Sequence, residues 1–205
     1  KIITAGTTQV ESISKEDISI NNFKYTFMRK DPPVDENYFN ALHLLGLAET
    51  QGAKVFNKPN SIKEFNEKVF SIYFKDFIPR TLITSNLSKI EDFHNELEEP
   101  IVVKPLDGMG GKSIYMMEEI NEEECKILKK LTNNYKTQIV IQEFLPDIYE
   151  GDFRVLIIHG KPYKKTLARI PQGGSFKGNL AAGGKGEVRD ISDVQMRIGL
   201  VVGEY

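Results

Sequence analysis

Two short β-prone runs, Ile101-Val102-Val103 and Ile114-Tyr115-Met116, bracket the glycine-rich string Lys104-Pro-Leu-Asp-Gly-Met-Gly-Gly111. No other feature limits the local fold of the chain so tightly. β-Branched and aromatic residues on both sides of a glycine cluster read as strand, loop, strand. The loop runs on through Lys112-Ser113, and Gly-Lys-Ser is also how a P-loop ends, a rigid cup of backbone N–H groups that feeds directly into a helix. That motif needs another glycine five places before Gly111, where Leu106 stands, and it needs a helix after it. The stretch therefore reads as a hairpin whose tip, Gly108-Met109-Gly110-Gly111, can fold over a ligand as a flap.

Helical and strand patterns alternate along almost the whole chain, which predicts an α/β or α+β architecture. Residues 1–4 read as the middle of a strand and residues 23–28 as another, stopped by Lys30-Asp31-Pro32-Pro33. Phe39, Leu42, Leu45 and Leu47 predict a helix reaching about Gly52, and Lys54-Val55-Phe56 a strand. Ser61 reads as the cap of a helix that turns Ile62, Phe65, Val69 and Ile72 to the core and carries Lys68. Strands at 81–84 and 101–103 enclose a helix over 87–98, and a charged helix covers 121–131. Strong strand patterns follow at 138–144, 153–158 and 163–170. Long antiparallel strands after βα units point to an α+β lobe rather than a doubly wound sheet. At the far end Val194, Ile198 and Val201 or Val202 share a helical face with no stop signal behind them, and the first residue is Lys1 rather than Met, so both ends read as cut.

Composition closes off several classes of function. With 27 basic and 29 acidic residues the net charge is −2, so no summed field favours nucleic acid or an anionic membrane. Neither is expected as a partner. Anion binding must come from specific sites. A single cysteine, Cys125, rules out an internal disulfide framework and fits a reducing compartment. His43, His94 and His159 show no ligand spacing.

Residues 171–187, PQGGSFKGNLAAGGKGE, hold six of the 16 glycines. Ordering each one costs roughly 0.5–1 kcal/mol more than alanine, so a long loop of this kind, read as joining a strand to a helix, is expected to be a lid that orders on ligand. Gln172, Lys177, Asn179 and Lys185 give it polar contacts at intervals. Lys68, Lys104, Arg154 and Arg169 are cations within otherwise apolar patterns. Together with two glycine loops they form a plausible cage for several phosphate oxygens, because charge-assisted and bidentate contacts suit such groups.

The set Met28-Arg-Lys-Asp-Pro-Pro33, Asn57-Lys-Pro59, Asn66-Glu-Lys68, Lys104 to Gly111, Asp152-Phe-Arg-Val155, Ala168-Arg-Ile-Pro-Gln-Gly-Gly174 and Gly178-Asn-Leu-Ala-Ala-Gly-Gly184 closely resembles the prokaryotic glutathione synthetase family of ATP-grasp ligases. The resemblance spans about residues 23 to 190. It implies an ATP-grasp fold, with two α+β lobes enclosing ATP. Residues 1–58 would be the remainder of an N-terminal α/β domain, and residues 59–205 the ATP-grasp domain without its C-terminal part.

The same resemblance assigns roles. Lys68, Lys104 and the backbone of Gly108, Met109, Gly110 and Gly111 would bind phosphates. Gln142, Phe144 and Leu145 would form the adenine hinge, and Asp152 would meet the ribose. Arg154 and Arg169 would be catalytic, holding the transferred phosphate and the acyl group. Arg29, Gln172, Gly173, Gly174 and Asn179 would face substrate, under a lid at 171–187. The implied cofactors are ATP and magnesium, with the metal ligands expected beyond Tyr205. The implied partners are γ-glutamylcysteine and glycine, joined through an acyl phosphate in a cytoplasmic homo-oligomer. Alternatives are an ATP-grasp ligase with another amine acceptor and an ATP-binding module without catalysis.

Overall fold

The computed structural model describes residues 14–30, 33–108 and 110–205. The strand read at residues 1–4, two residues of the 30–33 stop and Met109 lie outside the described residues. The chain divides into two units, Lys1–Asp31 with Glu36–Glu64, and Pro32–Asp35 with Phe65–Tyr205.

In the first unit, strand β1 (Thr26–Phe27) pairs in parallel with β2 (Val55–Phe56), Thr26 opposite Val55. Helices α1 (Glu36–Thr50) and α2 (Pro59–Glu64) pack on each other, and Leu42, Ala48, Val55 and Pro59 are buried. The strand read at 23–28 contracts to two residues. Ile20–Asn22 forms a 3-10 turn just before it, and Phe23 and Tyr25 remain exposed.

The helix read from Ser61 to Ile72 is broken. Helix α2 starts at Pro59, whose missing N–H costs nothing in the first turn, and ends at Glu64. In the second unit Asn66 Oδ1 accepts the backbone N–H groups of Lys68 (2.9 Å) and Val69 (3.1 Å), capturing donors that a continuous helix would need. Lys68 thus sits on a turn. Behind it runs a 3-10 segment, Phe70–Phe77, kinked at Phe74. Phe65 and Val69 stay exposed at the surface.

Four antiparallel strands form the main sheet in the order β3 (Thr81–Thr84), β6 (Ile139–Glu143), β4 (Ile101–Pro105), β5 (Tyr115–Met117). The β4–β5 pair is the expected hairpin, with Val103 opposite Tyr115. Helices α3 (Leu87–Leu97) and α4 (Glu122–Leu131) supply Ile90 and Leu128 to a core with Ile101, Val103, Met117, Ile139 and Ile141. Each begins at an asparagine cap: Asn86 accepts from Lys89 N–H and Asn121 from Glu123 N–H. Glu122, Glu123 and Glu124 in the first turn of α4, with Lys129 and Lys130 in its last, complement the helix dipole. Side chains alternate along a strand, so the residues between the core positions, Val102 and Lys104 on β4 and Val140 and Gln142 on β6, take the opposite face.

A second sheet, β7 (Asp152–Ile158), β8 (Lys161–Ile170) and β9 (Lys185–Asp190), is antiparallel throughout, as an α+β lobe requires. Helix α5 (Asp193–Gly203) packs on β7 and β8 and opens with a capping box between Ser192 and Gln195. The glycine-rich loop differs from its reading. It joins two strands, because β8 recruits Lys185–Asp190 into the sheet, and one 3-10 turn, Leu180–Ala182, interrupts it. Backbone pairing overrides the weak strand propensity of Lys-Gly-Glu-Val-Arg-Asp. None of the described helices is long and apolar enough to cross a membrane.

Candidate functional site

The face of the main sheet opposite its helices borders two cavities within the second unit. One, of about 240 Å³, has apolar walls from Val102, Ile114, Phe144, Leu145, Ile148 and Phe176. The other, of about 440 Å³, is lined by Lys68, Lys104, Gly108, Gly110, Gly111 and Lys112. They share Pro79, Lys104, Ile114, Gln142, Asp152 and Asn179. An apolar slot thus opens beside a cationic bowl across a polar partition.

The centre of that partition is a chain of side chains. Lys104 Nζ donates to Gln142 Oε1 at 2.7 Å, Gln142 Nε2 donates to Thr81 Oγ1 at 2.7 Å, and that hydroxyl donates to the carbonyl of Pro79 at 2.7 Å. Thr81 lies opposite Gln142 on neighbouring strands, so sheet register fixes the amide and through it the lysine. Burial pushes the Lys104 ammonium below its ordinary 10.5, and the charge of Lys68 lowers it further, against the opposing pull of Glu67. A half-buried cation whose hydrogen-bond partner is a neutral amide is poised for an anion.

Lys68 reaches the same bowl from the turn made by Asn66. Its Nζ donates to the carbonyl of Gly108 at 2.7 Å and lies 3.6 Å from Glu67 Oε1. It therefore also ties down the hairpin tip. At Gly111 the backbone has φ +77°, and a Cβ there would lie 3.0 Å from Asn179 Oδ1, so only glycine lets the hairpin and the β8–β9 loop approach this closely. Phe144 N–H is bound to the carbonyl of Pro100, which leaves its ring, not its amide, to face the apolar slot.

Arg169 and Asp152 face each other across β8 and β7 and form a two-pronged ion pair, Nε to Oδ1 at 2.5 Å and Nη2 to Oδ2 at 2.8 Å. Asp152 lines both cavities, whereas Arg169 lines neither and acts on them through Asp152. A Cβ on Gly178 would run into the carbonyl oxygen of Arg169 and approach Asp152 Oδ2. The loop is tacked down at that point.

The structure therefore gathers Lys68, Lys104, Gly108, Gly110 and Gly111 around the bowl, Phe144 and Leu145 around the slot, and Gln142, Asp152 and Asn179 between them. Arg154 is exposed two residues beyond Asp152 and lines neither cavity. Gln172 donates to the carbonyls of Ile170 and Pro171, and Gly173 and Gly174 stand in open space with positive φ. Arg29 is an exposed residue of the first unit, and Met109 lies outside the described residues.

Sequence reasoning missed Thr81, Lys112 and Phe176. Phe176 carried a usable signal, a lone aromatic within a glycine-rich loop. Lys112 was set aside together with the P-loop reading. Nothing local marks Thr81, whose role depends on register with β6.

The family described as "Prokaryotic glutathione synthetase, ATP-grasp domain" matches residues 67–205, and "Prokaryotic glutathione synthetase, N-terminal domain" matches residues 3–63. The glutathione synthetase of Vibrio parahaemolyticus is 42% identical over 189 residues, covering 92% of this chain and 60% of that protein. That of Escherichia coli strain K12 is 40% identical over 191 residues, covering 93% and 60%. The chain thus spans about 60% of the length of the curated relatives it matches. Among solved structures, D-cycloserine synthetase DcsG is similar with a TM-score of 0.66 at 12% identity, over 92% of this chain and 67% of that one. ATP-grasp ligase PsnB, complexed with a phosphomimetic variant of a minimal precursor, Mg and ADP, is similar with a TM-score of 0.55 at 20% identity, over 82% and 50%. At these identities the solved structures speak for the fold alone.

Proposed function

This chain belongs to the prokaryotic glutathione synthetase family, and from that premise we propose that it builds the ATP site of an enzyme that ligates glycine to γ-glutamylcysteine, releasing glutathione, ADP and phosphate. The observation that carries the reading is the apolar slot opening onto a cationic bowl across Lys104 and Gln142. A nucleoside triphosphate has that polarity, with a flat base at one end and several negative charges at the other.

ATP supplies what the carboxylate lacks, by turning its oxygen into a phosphate leaving group as the acyl phosphate forms. The side chains of this chain bind and orient. Lys68 and Lys104 hold phosphate oxygens with charge-assisted hydrogen bonds. Backbone N–H groups near Gly108, Gly110 and Gly111 approach from above, where no Cβ intervenes. Phe144 and Leu145 cover the base, and Asp152, oriented by Arg169, meets the ribose. Arg154, exposed on β7, receives the acyl end of the substrate. The β8–β9 loop keeps water from the reacting carboxyl group, and fixing both reactants can contribute roughly 7–11 kcal/mol to lowering the barrier.

Magnesium belongs to the same proposal, as the counter-charge of the triphosphate. Among the described residues no three His, Cys, Asp or Glu side chains converge as a metal set. A thiol substrate and a single cysteine suit the reducing cytoplasm, and a homo-oligomer completes the proposal.

The test is ADP release by the protein with magnesium and ATP, omitting γ-glutamylcysteine and glycine in turn. Release that requires both, with glutathione formed, is expected. Release with a different amine acceptor would move the reaction to another ATP-grasp ligase, and binding of ATP without any release would reduce the protein to a nucleotide-binding module.

A further inference from the structure

The apolar slot has one wall that the main sheet does not build. Val102 and Ile114 come from β4 and the segment entering β5, and Leu145 and Ile148 from the stretch after β6. Phe176 comes from the β8–β9 loop, and its ring lies edge-on to that of Phe144, centroids 6.3 Å apart and planes at 85°. We propose that Phe176 is a base-contacting residue, so that the loop between β8 and β9 holds the nucleobase as well as covering the reacting groups. The proposal rests on the ATP reading above and adds an affinity determinant to it, one that favours a triphosphate bearing a base over a bare one.

The loop is anchored unevenly, and Phe176 stands where its character changes. On its C-terminal side Gly178 is pressed against the carbonyl of Arg169, and Asn179 O accepts the N–H groups of Ala182 and Gly184 at 2.8 and 3.1 Å. On its N-terminal side Gly173 and Gly174 take positive φ with nothing within 4 Å of a Cβ position. Phe176 is therefore held near the slot by the fixed half, while the other half leaves open space around Gly173 and Gly174. Ser175 Oγ accepts the N–H of Lys177 at 3.1 Å, and Lys177 Nζ lies 5.7 Å from the Phe176 ring centroid. This turn points the cation and the ring along the same short segment. The ring is only partly buried by its protein neighbours, so a planar base in the slot would cover more of it. Stacking of this kind tolerates any flat π-face and needs no hydrogen bond from Phe176. Filling the slot would then draw the loop down over the bowl, linking base recognition to exclusion of water.

The experiment compares the wild-type protein with Phe176→Ala and Phe176→Tyr. Calorimetry gives the affinity of each, with magnesium, for two probes, ATP and inorganic triphosphate, which keeps the charge and lacks the base. The expected result is that Phe176→Ala weakens ATP by about 10- to 100-fold, the span of base–aromatic stacking, changes triphosphate by less than about 3-fold, and that Phe176→Tyr restores ATP affinity. Hydrogen exchange should show ATP protecting residues 171–178 in the wild type and not in Phe176→Ala. Unchanged ATP affinity in Phe176→Ala, or an equal loss on both probes, overturns the proposal while leaving the ATP reading intact. A wild-type protein that binds neither probe sinks the ATP reading itself.

Discussion

The two sheets of the second unit hold functional side chains in opposite ways. In the four-stranded sheet, Ile101, Val103, Ile139 and Ile141 are fully buried under α3 and α4. The residues between them are locked to the other face, so Lys104 and Gln142 inherit the rigidity of the core. In the three-stranded sheet α5 packs on β7 and β8, and Phe153, Leu156, Ile158 and Val188 remain exposed. There Asp152 is held by a polar fork from Arg169 and by the tight passage of Gly178, with little packed core behind it. One sheet gives a floor for charge backed by a packed core, and the other gives a wall held mainly by polar contacts.

Substitutions can break that contrast. Ile101→Ala should destabilise the protein by about 2–5 kcal/mol in urea unfolding, because a fully buried side chain leaves a cavity. Val188→Ala on β9, 74% exposed, should stay within about 0.5 kcal/mol. Equal losses would mean that the second sheet is as tightly packed as the first.

Arg169→Ala should lower kcat/KM for ATP by about 10- to 100-fold, because Asp152 loses the fork that aims it, and should also cost stability by leaving a part-buried carboxylate unpaired. A near-normal kcat/KM would show that Asp152 keeps its place without the fork and that the wall is stiffer than its packing implies. Arg169→Lys should rescue little, since one ammonium cannot reproduce two parallel bonds.

Lys104→Met sharpens the comparison from the rigid side. It should weaken ATP about 10- to 100-fold by removing a charge-assisted hydrogen bond. Its effect on unliganded stability should depend on pH. Burial lowers the Lys104 pKa in the folded state, so the folded protein holds that proton less tightly than the unfolded chain does. Stability of the wild type then rises with pH through the window between the lowered value and 10.5. Lys104→Met lacks this slope, so its advantage is largest below the window and fades as pH approaches 10.5. A pH-independent difference between the two proteins would show that Lys104 is well solvated.

The same contrast explains how far the chain could be read. The main sheet follows short-range rules: alternation around Ile101 and Ile139, asparagine caps before α3 and α4, and glycines between β4 and β5 all lie within a few residues of what they control. The elements that departed from expectation lie where one side chain or one distant strand decides. Asn66 ends a helical pattern by taking two backbone donors, and β8 turns Lys185–Asp190 into a strand. Within the site, Lys104 and the glycine tip were legible because cations and glycines are unusual where they stand. Thr81 was not, because a threonine in a strand is ordinary until its partner across the sheet is known.

The sequence by itself determined the strand, glycine loop, strand unit, the α+β character and the kinship of the two glycine strings, because each depends on residues close together in the chain. Only the tertiary structure decided that Arg169 grips Asp152, that Lys104 is held by a neutral amide and that Phe176 lines the apolar slot. Those contacts join residues 17, 38 and 32 positions apart (Arg169 with Asp152, Lys104 with Gln142, Phe176 with Phe144). At such separations local propensity carries no information, and strand register with the burial behind it sets which side chains meet.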